Sequence, residues 1–117
     1  MKAKIIEIGK DAIQTDENLL IFFDDTATGK IREVSVIQAF EEEDYKELNI
    51  GDKIIFGDIS YTIQTIGSLA NQQLQEIGHV TLFFGETPTD EMMNAIGFME
   101  SKLPKLYVGM EIVYQTA

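Results

Sequence analysis

The chain has no cysteine and only one histidine, His79, among its 117 residues. Without cysteine there is no disulfide, no thiolate nucleophile and no cysteine-based zinc site. That leaves the imidazole of His79 as the one side chain suited to nucleophilic work near neutral pH. Bases are scarce too: nine Lys and Arg stand against 20 Asp and Glu, for a net charge of −11. Binding along a nucleic-acid backbone needs a basic stripe, and none is visible, so no nucleic-acid partner is expected. An acidic surface keeps a protein soluble and can steer a basic partner. Long apolar runs are also missing. Met1-Lys-Ala-Lys-Ile-Ile-Glu7 is too weakly apolar for a signal peptide, and no later run approaches membrane-spanning length. A cytoplasmic protein, not embedded in a membrane, is the expectation.

Hydrophobic residues make up 44% of the chain and charged residues 25%, an ordinary globular composition. The length suits a single domain over residues 1–117 with one core.

The sequence repeats itself. Ile5-Ile-Glu-Ile-Gly9 returns as Ile63-Gln-Thr-Ile-Gly67, and Leu48-Asn-Ile-Gly51-Asp-Lys-Ile-Ile-Phe56 returns as Leu106-Tyr-Val-Gly109-Met-Glu-Ile-Val-Tyr114, both 58 residues on. Between them, Asn18-Leu-Leu-Ile-Phe-Phe23 matches His79-Val-Thr-Leu-Phe-Phe84 at an offset of 61. Three matches in one order point to two duplicated halves, about 1–57 and 60–117.

Most apolar segments are short, rich in Ile, Val and Phe, and bounded by Gly, Asp or Asn, which reads as strand. Strands are expected at Lys2–Ile8, Asn18–Asp24, Arg32–Gln38, Lys53–Gly57, Ser60–Ile66, His79–Phe84 and Met110–Gln115. Asp24–Lys30 reads as a hairpin tip and Gly57–Ser60 as a tighter turn between the halves. Asp90–Ser101 suits helix or strand, and the duplication favours strand in its later part. One short helix is expected near 69–77: Ser68 caps it, Ala70, Leu74 and Ile77 share a face, and Gly78 ends it. Halves of about four strands are too small for separate cores, so the expected fold is mainly β, a closed or partly closed small barrel.

Alternation along His79–Phe84 puts Val80, Leu82 and Phe84 on one face, matching Leu19, Ile21 and Phe23 in the first half. Burying that face leaves His79 and Thr81 on the other, open to solvent or a partner. There His79 suits phosphoryl transfer through a phosphohistidine, with its second ring nitrogen held by an acceptor and Thr81 donating to a phosphate oxygen. The end of the preceding helix opposes phosphate by roughly 0.3–1 kcal/mol, too little to veto the role. Other constellations are weaker. Glu41-Glu-Glu-Asp44 lacks the spacing of a calcium loop, Asp24-Asp25 is turn chemistry, and the phosphate-loop, dinucleotide and serine-hydrolase motifs are absent. No metal and no cofactor are expected.

The run Gly67–Phe84 with its Gly78-His-Val-Thr-Leu82 core, the Leu20-Ile-Phe-Phe23 strand, the Ile66-Gly-Ser68 approach to the helix and the Gly-led final strand resemble the glucitol/sorbitol-specific IIA component of the phosphoenolpyruvate-dependent sugar phosphotransferase system. The resemblance covers nearly the whole chain. It implies a phosphocarrier that accepts a phosphoryl group from phospho-HPr on a histidine and passes it to a cysteine-linked IIB component of the IIB/IIC permease for glucitol/sorbitol uptake. In that family the phosphorylated histidine ends the third strand; the matching position here is Gln38, after Val36-Ile37. Either His79 is the acceptor, or the chain is a non-catalytic paralogue, a barrel that binds a protein partner or a small metabolite.

Overall fold

Ala3 and Ile5 are buried while Lys2, Lys4 and Ile6, alternating with them, are exposed, the period of a strand with one face on a core. The same pattern recurs around the molecule. In this computed structural model, which describes residues 1–14, 17–41 and 44–116, the elements run β1 (Lys2–Ile8), β2 (Leu19–Phe23), α1 (Gly29–Glu33), β3 (Val36–Phe40), β4 (Lys53–Phe56), β5 (Ile59–Ile66), α2 (Ala70–Ile77), β6 (Val80–Phe84), β7 (Ala95–Phe98) and β8 (Glu111–Gln115). The strands close into one barrel in the order β1-β3-β2-β6-β7-β5-β4-β8. Closure leaves no sheet edge, which lets strands of four to eight residues be stable together. Inside lie Phe22, Phe56, Phe84, Phe98 and Tyr114 with the Ile, Leu and Val side chains between them. No helix among the described residues is long and apolar enough to cross a membrane.

The duplication is written into the ladder. Exchanging β1 with β5, β2 with β6, β3 with β7 and β4 with β8 reproduces every pairing, including the two parallel ones, β2 with β3 and β6 with β7. Both halves carry an irregularity at the same place, between Ile5 and Glu7 and between Ile63 and Thr65. A pseudo-twofold axis therefore passes between β2 and β6 on one side and between β4 and β8 on the other.

The middle match is displaced by one residue. Phe22 pairs with Val36 as Leu82 pairs with Ile96, and Gln38 faces Ile5 as Phe98 faces Ile63, so β2 and β3 map onto β6 and β7 at an offset of 60, not 61. A one-residue slip exchanges the faces of a strand. Accordingly Leu20 and Phe22 point inward, where Leu19, Ile21 and Phe23 were expected.

The segment after β2 also departs from expectation. Asp24–Lys30 is not a hairpin tip, because β2 and β3 are parallel and a parallel pair needs a crossover. Asp24 starts it as a turn, its Oδ1 accepting from the Thr26 N–H at 2.9 Å, and α1 completes it. Arg32 and Glu33 are thus helical, Val34 follows the helix, and β3 begins only at Val36. At α2, Ser68 makes no capping bond. The Leu69 and Ala70 N–H groups are taken by the Met93 and Gly67 carbonyls instead, and Ile77 turns outward while Ala70 and Leu74 are buried. The later part of Asp90–Ser101 is strand β7 as expected. The acidic run at 41–44 includes Glu42 and Glu43, which lie outside the described residues.

The repeated glycines mark where backbone meets backbone. A Cβ on Gly9 would lie 2.3 Å from the Arg32 and Glu33 carbonyl oxygens, and one on Gly67 would lie 2.3 Å from that of Met93. Neither obstacle is a flexible side chain, so the loop itself would have to move. Gly9→Ala and Gly67→Ala should each cost about 3 kcal/mol, the scale of a severe packing defect. Urea unfolding checks this; a loss under about 1 kcal/mol would show that the crossover loops yield freely.

Candidate functional site

His79 lies between the end of α2 and the first residue of β6. Gly78 adopts φ 62°, the left-handed conformation that stops a helix. The Gly78 and His79 N–H groups then close on the Leu74 and Gln73 carbonyls, satisfying two acceptors that a helix end would otherwise leave bare. This places the imidazole at the start of the central antiparallel pair, half-buried and stacked on Phe23 with ring centroids 4.0 Å apart and planes at 19°.

Both ring nitrogens are engaged. Nδ1 is 3.1 Å from the Phe22 carbonyl oxygen, which can only accept, so Nδ1 carries a proton. Nε2 is 2.5 Å from Nδ2 of Asn94. Burial draws the imidazole pKa below its ordinary 6.5, with the Phe22 carbonyl acting weakly the other way. The ring is therefore neutral at pH 7, and Nε2 holds a lone pair that accepts from the Asn94 amide. A stability signature follows. The unfolded histidine binds a proton more readily than the folded one, so the contribution of this site is complete above pH 6.5 and is lost as pH falls through 6.5 toward the lower folded value. Denaturation of the natural protein across pH 7 to 5 should show this fall, and His79→Gln should flatten it.

Thr81, expected on an open face, is buried with 7% exposure. All five residues of β6 are buried, so its outer face is not free. Thr81 joins the site through its backbone, donating its N–H to the Asn94 carbonyl at 3.2 Å.

Gln38 is the middle residue of β3 rather than its end, and it is completely buried. Val36, two residues before it, is also inside, whereas Val34 is exposed. The Gln38 amide nitrogen donates to the Gly78 carbonyl at 3.0 Å, and its oxygen accepts from the Tyr114 hydroxyl at 2.5 Å. Burial raises the Tyr114 pKa, the bond to Gln38 opposing, so the hydroxyl stays a donor. Gln38 and His79 are thus joined through one peptide, that of Gly78. Beside it opens a cleft of about 330 Å³ lined by Met1, Asp24, Phe40, Tyr45, Leu74, Gln75 and Gly78. A larger cleft, about 550 Å³ around Tyr61, Leu103 and Tyr107, includes none of the expected site residues.

The sequence model of the family described as PTS system glucitol/sorbitol-specific IIA component matches residues 1–113. The chain belongs to that family. Its fold is also that of the PTS system IIA component from Enterococcus faecalis V583, a solved structure 42% identical in sequence, with a TM-score of 0.92 over 99% of this chain and 100% of that one. No curated protein matches the chain. The role that goes with this membership is phosphoryl carriage in glucitol/sorbitol uptake, and the family works with phosphotransfer partners.

Two residues of the site in this IIA protein escaped the sequence reading. Tyr114 had a signal, since it alternates inward with Ile112 in the last strand. Asn94 had none: it sits in the segment that suits helix or strand, 15 residues from His79, and only the parallel pairing of β6 with β7 brings them together.

Proposed function

We propose that this IIA protein takes a phosphoryl group from phospho-HPr onto Nε2 of His79 and passes it to the IIB component of a glucitol/sorbitol permease, working in the cytoplasm. The observation that carries the reading is the state of the ring: a neutral imidazole whose Nδ1–H is fixed on the Phe22 carbonyl, leaving the lone pair on Nε2. In the transfer, the Nε2 lone pair attacks phosphorus in line and the bond from phosphorus to the donor's ring nitrogen breaks. A donor ring protonated on its other nitrogen leaves as neutral imidazole, while the His79 ring keeps its Nδ1 proton and becomes the charged phosphoimidazole. The two rings exchange states with no net proton moved and no metal required. The Phe22 carbonyl, facing the retained proton, stabilises the positive charge that develops. Handing the group to a IIB cysteine is the same displacement with a thiolate as nucleophile and His79 as leaving group.

The test is incubation with phosphoenolpyruvate, enzyme I and HPr, followed by intact mass. A single acid-labile phosphoryl group supports the proposal. A folded protein that stays unlabelled overturns it and returns the chain to the reading of a binding barrel without transfer.

A further inference from the structure

We propose that Asn94 is a positioning residue for phosphoryl transfer, its side-chain amide holding Nε2 of His79 as an unprotonated acceptor until the phosphoryl group arrives. This rests on His79 as the acceptor. The geometry is specific. Asn94 Nδ2 stands 2.5 Å from Nε2, and the ring's other nitrogen is already committed as a donor to Phe22. With Nδ1 protonated and the ring neutral, Nε2 can only accept, which turns the N–H side of the Asn94 amide toward it.

The residue type matters. A carboxylate in this place would itself accept, pull a proton onto Nε2 and remove the lone pair. An amide donates and leaves the lone pair where it is. It is also uncharged, so its hydrogen bond exchanges more readily than an ion pair when the phosphoryl group approaches. The freed N–H then lies beside the oxygens bonded to the new Nε2–P centre.

Asn94 is well rooted for this. It immediately precedes β7, its carbonyl accepts the Thr81 N–H, and Ala95 next to it pairs with Thr81 in the parallel ladder. Gly67 packs against the Met92 and Met93 carbonyls just before it. The site thus draws its ring from the start of β6 and its amide from the start of β7, and the crossover between those strands determines their distance.

The experiment measures the His79 ring nitrogens by 15N NMR across pH, alongside the rate of labelling by phospho-HPr, in the natural protein, Asn94→Ala and Asn94→Asp. In the natural protein Nδ1 should be the protonated nitrogen. Asn94→Ala should raise the pKa of His79, let the second tautomer appear and slow labelling at pH 7 at least tenfold. Asn94→Asp, almost the same in shape, should raise the pKa further and slow labelling more, with partial recovery at higher pH. Ring spectra or a labelling rate unchanged in Asn94→Ala would overturn the proposal. So would Asn94→Asp labelling as fast as the natural protein. A natural protein that takes no label sinks His79 as acceptor instead, and the ring titration tells the cases apart because it needs no phosphoryl donor.

Discussion

Replacing His79 with alanine should abolish acid-labile phosphate on this protein entirely, rather than reduce it. The chain holds no second histidine and no cysteine, so no other side chain can form a phosphoimidazole or a phosphothiol. The expected drop is from stoichiometric labelling to background in an intact-mass measurement. The fold should survive. His79 is half-buried and outside the strand ladder, and what is lost is its stack on Phe23 and two hydrogen bonds, about 1–2 kcal/mol in a barrel whose core is untouched. His79→Phe provides the control, since it keeps the stack and removes the nucleophile; it should be at least as stable as the alanine variant and equally unlabelled. Phosphate surviving either change would assign the group to another side chain and end the case for His79.

The barrel was legible because its halves repeat and because short Ile- and Val-rich strands have one way to share a core. Ala3 and Ile5, Ile112 and Tyr114, and the Gly9 and Gly67 turns all sit where periodicity puts them. What could not be read was the connection of β2 to β3. A run such as Arg32-Glu-Val-Ser-Val36 has strand composition, but the parallel pairing of its neighbours forces a crossover, and that pairing is a property of the closed ring rather than of the segment. The same long-range fact hid Asn94, whose only link to His79 is the parallel ladder of β6 with β7. The one-residue slip in the repeat had a different cause. Asn18–Phe23 and His79–Phe84 are so uniformly apolar that similarity does not fix their register, whereas barrel pairing does. Alternation alone also promised an open face at Thr81, because it cannot know that the outer face of the strand will be covered as well.

Gln38→His in a His79→Ala background should bring the phosphate back. Gln38 bridges an acceptor, the Gly78 carbonyl at 3.0 Å, and a donor, the Tyr114 hydroxyl at 2.5 Å. A neutral imidazole offers one N–H and one lone pair, so it meets the same two demands. The swap changes side-chain volume little and should cost under about 1.5 kcal/mol. Burial keeps the Tyr114 hydroxyl protonated and therefore a donor, which fixes the lone pair on the nitrogen facing it and the proton on the nitrogen facing Gly78. The adjoining cleft of about 330 Å³, walled on one side by Gly78 and Phe40, has room for a phosphoryl group. Because Gln38 is completely buried, attack requires the Tyr114 hydroxyl to move off the lone pair, so labelling should return more slowly than in the natural protein. A double variant that folds yet takes no label would mean that the middle of β3 is closed to a docked carrier, and that Gln38 serves only to satisfy the Gly78 carbonyl and the Tyr114 hydroxyl inside the barrel.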